Sequence, residues 1–409
     1  MSLRKAGIFV SDKRHFDYFN NLLRQMQNDG VPFELILNDT LSFYYGEERY
    51  PRSYTEEMAR TADEKGYPWK YATEAAGDKE KYKVLVSTIT YTYKIPFGKV
   101  KRKALAKRWI YGLLWKLTRS KAFKKRLNRP YRSSVYLEDA LGEYTICFPR
   151  GMDLDDAYPP KKIDRVADHY FCHGKLDKGL VERNTEKPAT IIGYPRYDNL
   201  KNFTEKPSPG LVREFGLDRE KPVISWLPTN FEIDGSYDSN IYEWIELLQP
   251  LTGDYNIIVR PHPKRVEAGA GKLVETLQNG GFKVDRVIDR DMSELYASSD
   301  FVLCDYGGTI FSAVYTDCNL LLLNHSGHQE TAELRSTSVD IKVREKLINL
   351  DQNGKDNSSE NLARILGDKE LWRSEKEKRT EVRDTYFGGV EAGEGSELAS
   401  QKLKHLLNT

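Results

Sequence analysis

Phe301-Val-Leu-Cys-Asp305-Tyr-Gly307-Gly308-Thr309 runs an apolar strand directly into a Gly-Gly turn that opens a helix. Such a turn lets backbone N–H groups approach an anion without Cβ obstruction, at the positive end of a helix dipole. The same pattern also serves tight turning alone, so its neighbours decide the reading. Around it, the segments 223–227, 256–259, 283–288 and 320–324 read as strands, with helices at 239–248, 293–297 and 309–316 between them. Strand alternating with helix implies a parallel sheet that gathers its functional groups at strand carboxyl ends.

A second alternation precedes this one. Strands are expected at 5–10, 32–37, 83–89, 144–148 and 189–192, with helices at 13–28 and 54–64. The first helix carries Phe16, Phe19, Leu22, Leu23 and Met26 on one face. A chain of 409 residues exceeds the size at which one core keeps growing, and Glu205-Lys-Pro-Ser-Pro-Gly210 reads as the linker between two halves. The expected organisation is an acceptor-side Rossmann-like domain at 1–205 with a basic insertion at 94–132, a nucleotide-donor domain at 206–385, and a crossing helix within 386–409. Two doubly wound α/β halves of this kind describe a GT-B architecture with ligand in the interdomain cleft.

Composition excludes several classes. With 39% hydrophobic and 30% charged residues the chain is that of a globular protein rather than a disordered one. Cys147, Cys172, Cys304 and Cys318 show no CxxC spacing and read as reduced, mostly buried thiols of a cytoplasmic protein. No signal-peptide pattern and no run of 18 apolar residues is seen, so neither export nor a membrane span is expected. The net charge of +2 conceals an asymmetry: from Lys81 to Leu137 there are 17 Lys and Arg and no Asp or Glu. A basic block on an acidic body points to an anionic partner.

Four motifs fall at expected strand ends. They are Gly193-Tyr-Pro-Arg196-Tyr-Asp198, Leu227-Pro-Thr229-Asn230, Arg260-Pro-His262-Pro-Lys264 and Asp305-Tyr-Gly-Gly-Thr309. Each has a bland alternative: His262 ends a strand with a backbone hydrogen bond, Thr229 is a helix N-cap, and Arg196 is a surface cation beside tyrosine. A further segment, Asp291-Met-Ser293-Glu294, opens a helix that would face a base or ribose, or else forms a capping box from Asp291 and Glu294.

Together these motifs resemble the CDP-glycerol glycerophosphotransferase family of teichoic-acid-type polymer synthesis, over residues from about 144 to 407. The tail Phe387-Gly-Gly-Val-Glu-Ala-Gly-Glu-Gly-Ser396 is similar to that family's ending. The resemblance implies metal-independent transfer of a polyol phosphate, most simply glycerol phosphate, from a CDP-activated donor to a hydroxyl of a polyanionic or lipid-linked glycan, releasing CMP. Under it, Arg260, His262 and Lys264 surround the pyrophosphate and His262 protonates or stabilises the leaving phosphate. Thr229, Arg196, Ser293, Asp305, Gly307, Gly308 and Thr309 complete the donor side. Where the family has a His-Gly base, this chain has Arg150-Gly151, and arginine is no base at neutral pH. Either His173, in His173-Gly174, or one of Asp153, Asp155 and Asp156 would then take that role, or leaving-group and electrostatic effects dominate, with Arg150 left to bind substrate.

Gly307-Gly308 also departs from the family's two serines. UDP-N-acetylglucosamine 2-epimerases carry a similar Gly-Gly, followed by glutamates, where this chain has Ile310-Phe-Ser-Ala313. GT-B transferases using CMP- or UDP-activated sugars for capsule or surface polysaccharide share the His-Pro motif and form the other alternative. In the basic block, Leu105, Trp109, Ile110, Leu113, Leu114 and Leu117 share half a helical wheel, opposite Lys107, Arg108 and Arg119. That pattern suits a helix lying on an anionic membrane, or one packed on the N-terminal sheet, better than nucleic-acid binding. The expected location is cytoplasmic, at the inner face of the plasma membrane.

Overall fold

In a computed structural model, described for residues 3–10, 15–39, 52–78, 80–88, 94–95, 102–118, 135–152, 154, 167–229, 239–262, 271–287, 290–325, 327–351, 358–388 and 390–409, the apolar runs become strands of two parallel sheets. The first half supplies β1 (Leu3–Val10), β2 (Phe33–Leu37), β3 (Trp69–Tyr71), β4 (Tyr82–Ser87), a small antiparallel pair of β5 (Lys94–Ile95) with β6 (Val135–Tyr136), β7 (Gly142–Cys147), β8 (His169–Cys172) and β9 (Ala189–Ile191). The second supplies β10 (Val223–Leu227), β11 (Asn256–Val259), β12 (Lys283–Val284), β13 (Phe301–Cys304), β14 (Asn319–Asn324) and β15 (Asn349–Asp351). Sheet orders are β3-β2-β1-β4-β7-β8-β9 and β12-β11-β10-β13-β14-β15. Both reverse direction beside their first strand, as a doubly wound sheet does. The architecture is GT-B.

Central strands are apolar because helices cover both faces. All five residues of β10 and all four of β11 and β13 are buried. In the first half, Phe16, Phe19, Leu22, Leu23 and Met26 of the helix His15–Asn28 face the sheet as their spacing predicts. The short strand Trp69–Tyr71 and the helix Ala72–Gly77 escaped the sequence reading; at three residues half-buried on the sheet edge, the strand offers too little period to detect.

The last helix, Gly395–Asn408, belongs to the first sheet rather than the second. Ala399, Leu403 and Leu407 join the core beside β1 and β4. Its start is fixed by the Gly193 to Asp198 motif: Asp198 accepts the N–H groups of Gly395 at 3.2 Å and Ser396 at 2.5 Å. A carboxylate at a helix N-terminus is favourable. A Cβ on Gly395 would lie 2.8 Å from the Ile192 carbonyl oxygen and 2.9 Å from the Pro195 nitrogen, so no other residue fits there without displacing backbone.

In the basic insertion, Arg102–Thr118 is helical, and Trp109, Ile110, Leu113 and Leu117 are exposed, by 73% for both Trp109 and Leu117. The apolar face is therefore not packed on the sheet, which removes that alternative for these four residues. The side chains of Leu105, Lys107 and Arg108, and all of Arg119, lie outside the described residues. Among the described residues no helix is long and apolar enough to cross a membrane.

Candidate active site

β11, β10 and β13 are neighbours, and their registers align Trp226 with Val259 and Leu227 with Cys304. The segments that follow, Pro228-Thr229, Arg260-Pro261-His262 and Asp305 to Thr309, therefore leave one sheet edge side by side, about 4.8 Å apart. They form one wall of a cavity of about 330 Å³ between the two sheets. Thr229, Arg260, His262, Tyr296, Gly308 and Thr309 line this wall; Asp17, Tyr18, Gly151, Tyr194, Arg196 and Tyr197 line the other.

Carboxylates behind the second-sheet wall hold its backbone. Asp305 is 5% exposed, and its Oδ1 accepts the N–H of Tyr306 at 2.8 Å and of Thr229 at 2.9 Å. Burial pushes its carboxyl up to about 6, against the pull of those bonds and of Arg344. Gly307 has φ of +84°, the left-handed region where a side chain is strained, and donates its N–H to Asp340 at 2.9 Å. Asp340 is in turn held by Arg335 and Ser338. The helix Gly308–Tyr315 begins there, so the N–H groups of Gly308 and Thr309 have no intrahelical partners, and both residues line the cavity, as an anion site at a helix start requires. A Cβ on Gly308 would come no nearer than 3.7 Å to the Met152 nitrogen. Serine fits at Gly308 but not comfortably at Gly307, so only one of the two departures from the family pattern is imposed by backbone geometry.

Arg260 lines the cavity but is also structural. Its Nη1 donates to Asp285 at 2.7 Å and to the Val287 carbonyl at 2.6 Å. Asp285 also accepts from Arg290 Nε at 2.6 Å, and Arg290 pairs with Glu214. This buried Arg-Asp-Arg group ties the loop after β12 to the end of β11.

The first-sheet wall is made of side chains. Arg196, in the 3-10 turn Pro195–Asn202, pairs with Asp17 from the first turn of His15–Asn28 and lies over the Tyr18 and Tyr197 rings, at 5.4 and 6.0 Å. Its buried Nε has no hydrogen-bond partner. Tyr194 donates its hydroxyl to the Arg150 carbonyl at 3.1 Å, fixing the exposed Arg150 beside Gly151 at the rim.

The remaining sequence candidates divide. Ser293 is fully buried and reaches the Arg196 carbonyl at 3.3 Å, which fastens the turn to the helix Met292–Ser298 and keeps its hydroxyl off the cavity lining. Asp291 caps that helix through Ser293 N–H, whereas Glu294 accepts from Ser208 at 2.6 Å, so the capping box does not form. His173 is 1% exposed, with Nδ1 3.2 Å from Asp177 and its ring packed edge-on against Tyr194 at 4.3 Å between centroids. Tyr194 stands between it and the cavity, which His173 does not line. Asp153, Asp155, Asp156 and Lys264 lie outside the described residues. Sequence reading missed Asp17 and Tyr18; their signal is position alone, the first turn after β1, at the carboxyl edge of a parallel sheet.

The segment with the turn after β9 and the Arg260, His262 and Gly307-Gly308 motifs has known counterparts. Residues 182–318 match the CDP-Glycerol:Poly(glycerophosphate) glycerophosphotransferase family. The resemblance read from the sequence thus holds over that segment. Teichoic acid poly(glycerol phosphate) polymerase of Bacillus subtilis (strain 168) is 26% identical over 182 residues, 39% of this chain and 23% of the polymerase, so the chain matches about a quarter of that relative's length. Among solved structures, the wall teichoic acid polymerase TagF superposes over all of this chain and 90% of its own, with a TM-score of 0.61 and 14% identity. S. aureus MnaA with UDP covers 99% of this chain and 97% of its own, with a TM-score of 0.55 and 12% identity. At such identities the two structures attest the fold.

Proposed function

We propose that this glycerophosphotransferase-like chain transfers glycerol phosphate from CDP-glycerol to a hydroxyl of a cell-envelope glycan or polymer, releasing CMP. The observation that carries the reading is convergence: Thr229, Arg260, His262 and the Gly308–Thr309 helix start meet on one cavity, inside the segment that matches the family. The donor pyrophosphate lies against the N–H groups of Gly308 and Thr309, where the helix dipole and preorganised donors favour the charge that grows on the leaving CMP. Arg260, locked by Asp285, presents a fixed positive face, and His262 supports the leaving phosphate. No step calls on a metal ion. A TagF variant solved with CDPG supports the choice of donor class.

We place the protein at the cytoplasmic membrane surface, through the exposed Trp109, Ile110, Leu113 and Leu117 and the basic residues around them, each worth on the order of 1 kcal/mol near anionic lipid. Flotation with anionic liposomes and none with neutral ones is the expected result; equal recovery from both removes this placement.

A donor screen tests the activity. CDP-glycerol, CDP-ribitol, CMP-sialic acid and UDP-N-acetylglucosamine are each incubated with the protein, and nucleotide release is measured with and without EDTA. CMP from a CDP-polyol, undiminished by EDTA, is expected. Turnover confined to a sugar nucleotide sinks the proposal.

A further inference from the structure

We infer, resting on the glycerophosphotransferase reading, that Asp17 takes the proton of the acceptor hydroxyl. The position that the family resemblance gives to a His-Gly base carries Arg150 here, Asp153, Asp155 and Asp156 lie outside the described residues, and His173 is packed behind Tyr194 with one ring nitrogen directed to Asp177. Among the described residues lining the cavity, Asp17 is the one carboxylate. It lines the same cavity as His262 and Gly308 but comes from the other half of the chain, in the helix after β1, so an acceptor entering between the walls meets Asp17 on the first-sheet side.

Its geometry is fixed as a proton acceptor requires. The carboxylate is 20% exposed, accepts from Arg196, and is held there by a guanidinium itself clamped over two tyrosine rings. A separate pocket of about 80 Å³ shares Asp17 and Arg196 in its lining, with Asn20, Asn21, Lys65 and Asp291. Its polar side chains offer hydrogen bonds to the hydroxyls neighbouring the attacking one. The first demand on the residue that receives the nucleophile's proton is position, within hydrogen-bond reach of the attacking hydroxyl.

The step balances. The acceptor O–H bond breaks and its proton passes to an Asp17 carboxylate oxygen. The freed oxygen bonds the glycerol-bearing phosphorus as the P–O bond to CMP breaks, its electron pair leaving on CMP, and Asp17 then returns the proton to water.

The test uses the full chain, CDP-glycerol and a synthetic glycerol phosphate oligomer with a free terminal hydroxyl, reading CMP release, oligomer mass and CDP-glycerol affinity by calorimetry. Asp17→Asn is expected to cut kcat by about 10²-fold or more while CDP-glycerol affinity is unchanged. Near-wild-type turnover overturns the assignment, as does a loss of donor affinity that accounts for the whole defect, which would make Asp17 only the anchor of Arg196. Asp17→Glu retains the charge opposite Arg196 and decides the matter if the Asn variant does not fold: an intermediate kcat supports the inference and a wild-type kcat overturns it. A wild-type protein that releases no CMP from CDP-glycerol fails before any substitution is made, and that result removes the proposed function and this assignment together.

Discussion

On the second-sheet wall of the cleft, carboxylates are spent on backbone: Asp305 holds the starts of two segments, Asp340 holds Gly307, and Asp285 holds the loop after β12 through two arginines. On the first-sheet wall, Asp17 and Arg196 hold each other, partly exposed, and Arg150 stands free of the core at the rim. A wall built from backbone offers the same N–H groups whatever side chains surround it, which suits a phosphate common to every donor molecule. A wall built from side chains can change its chemistry one residue at a time. Gly307-Gly308 replaces the serines of the resembling family without removing those N–H groups, whereas Arg150 in place of a histidine changes what the other wall can do.

That contrast predicts that damage to the second-sheet wall acts through stability or donor chemistry. The largest effect is expected for Asp285→Ala, which removes the carboxylate that the buried Arg260 and Arg290 share, at a cost of about 3–5 kcal/mol, read as a fall in denaturation midpoint. A loss below about 1 kcal/mol, the level of a surface pair, would show that the network is not what fixes this wall. Next, His262→Ala should lower turnover by roughly 10²-fold, about 2.7 kcal/mol of barrier, with the fold intact by circular dichroism. Near-wild-type rates would return His262 to the role of a strand terminator.

The smallest effect concerns pH. Because burial raises the Asp305 carboxyl to about 6 in the folded protein, above its ordinary value of 3.8, the native state binds a proton there that the unfolded state has lost. Its contribution to stability accordingly falls as pH rises from about 4 to 6. Asp305→Asn should remove that slope, so the wild-type minus variant difference in stability drifts downward across the window. A difference that stays flat would mean the carboxyl titrates in its ordinary range.

Much of the fold was legible because its signals are local. Phe301 to Cys304 is apolar at every position and Val223 to Leu227 at all but Ser225, as strands covered on both faces tend to be, and Gly307 announces a turn that needs positive φ. Reading the side chains was less secure. Arg260 and His262 do reach the cavity, but nothing in the sequence says that Arg260 is already bound to Asp285, 25 residues on. Ser293 looked like a ligand contact and is a fastener for the turn at Arg196; His173 looked like a base and is packed away behind Tyr194. Asp198, within a motif that invited a ligand role, anchors a helix about 200 residues later.

The sequence by itself determined two doubly wound halves, the strand ends that carry the donor motifs, and the basic helix, since periodicity, glycine and charge runs act over a few neighbouring residues. Only the tertiary structure decided which side chains face the cleft, that Asp17 meets Arg196 across 179 positions, and that Trp109, Ile110, Leu113 and Leu117 of the basic helix are exposed. Those outcomes depend on how distant elements compete for the same partners, and that competition is settled by packing rather than by local order.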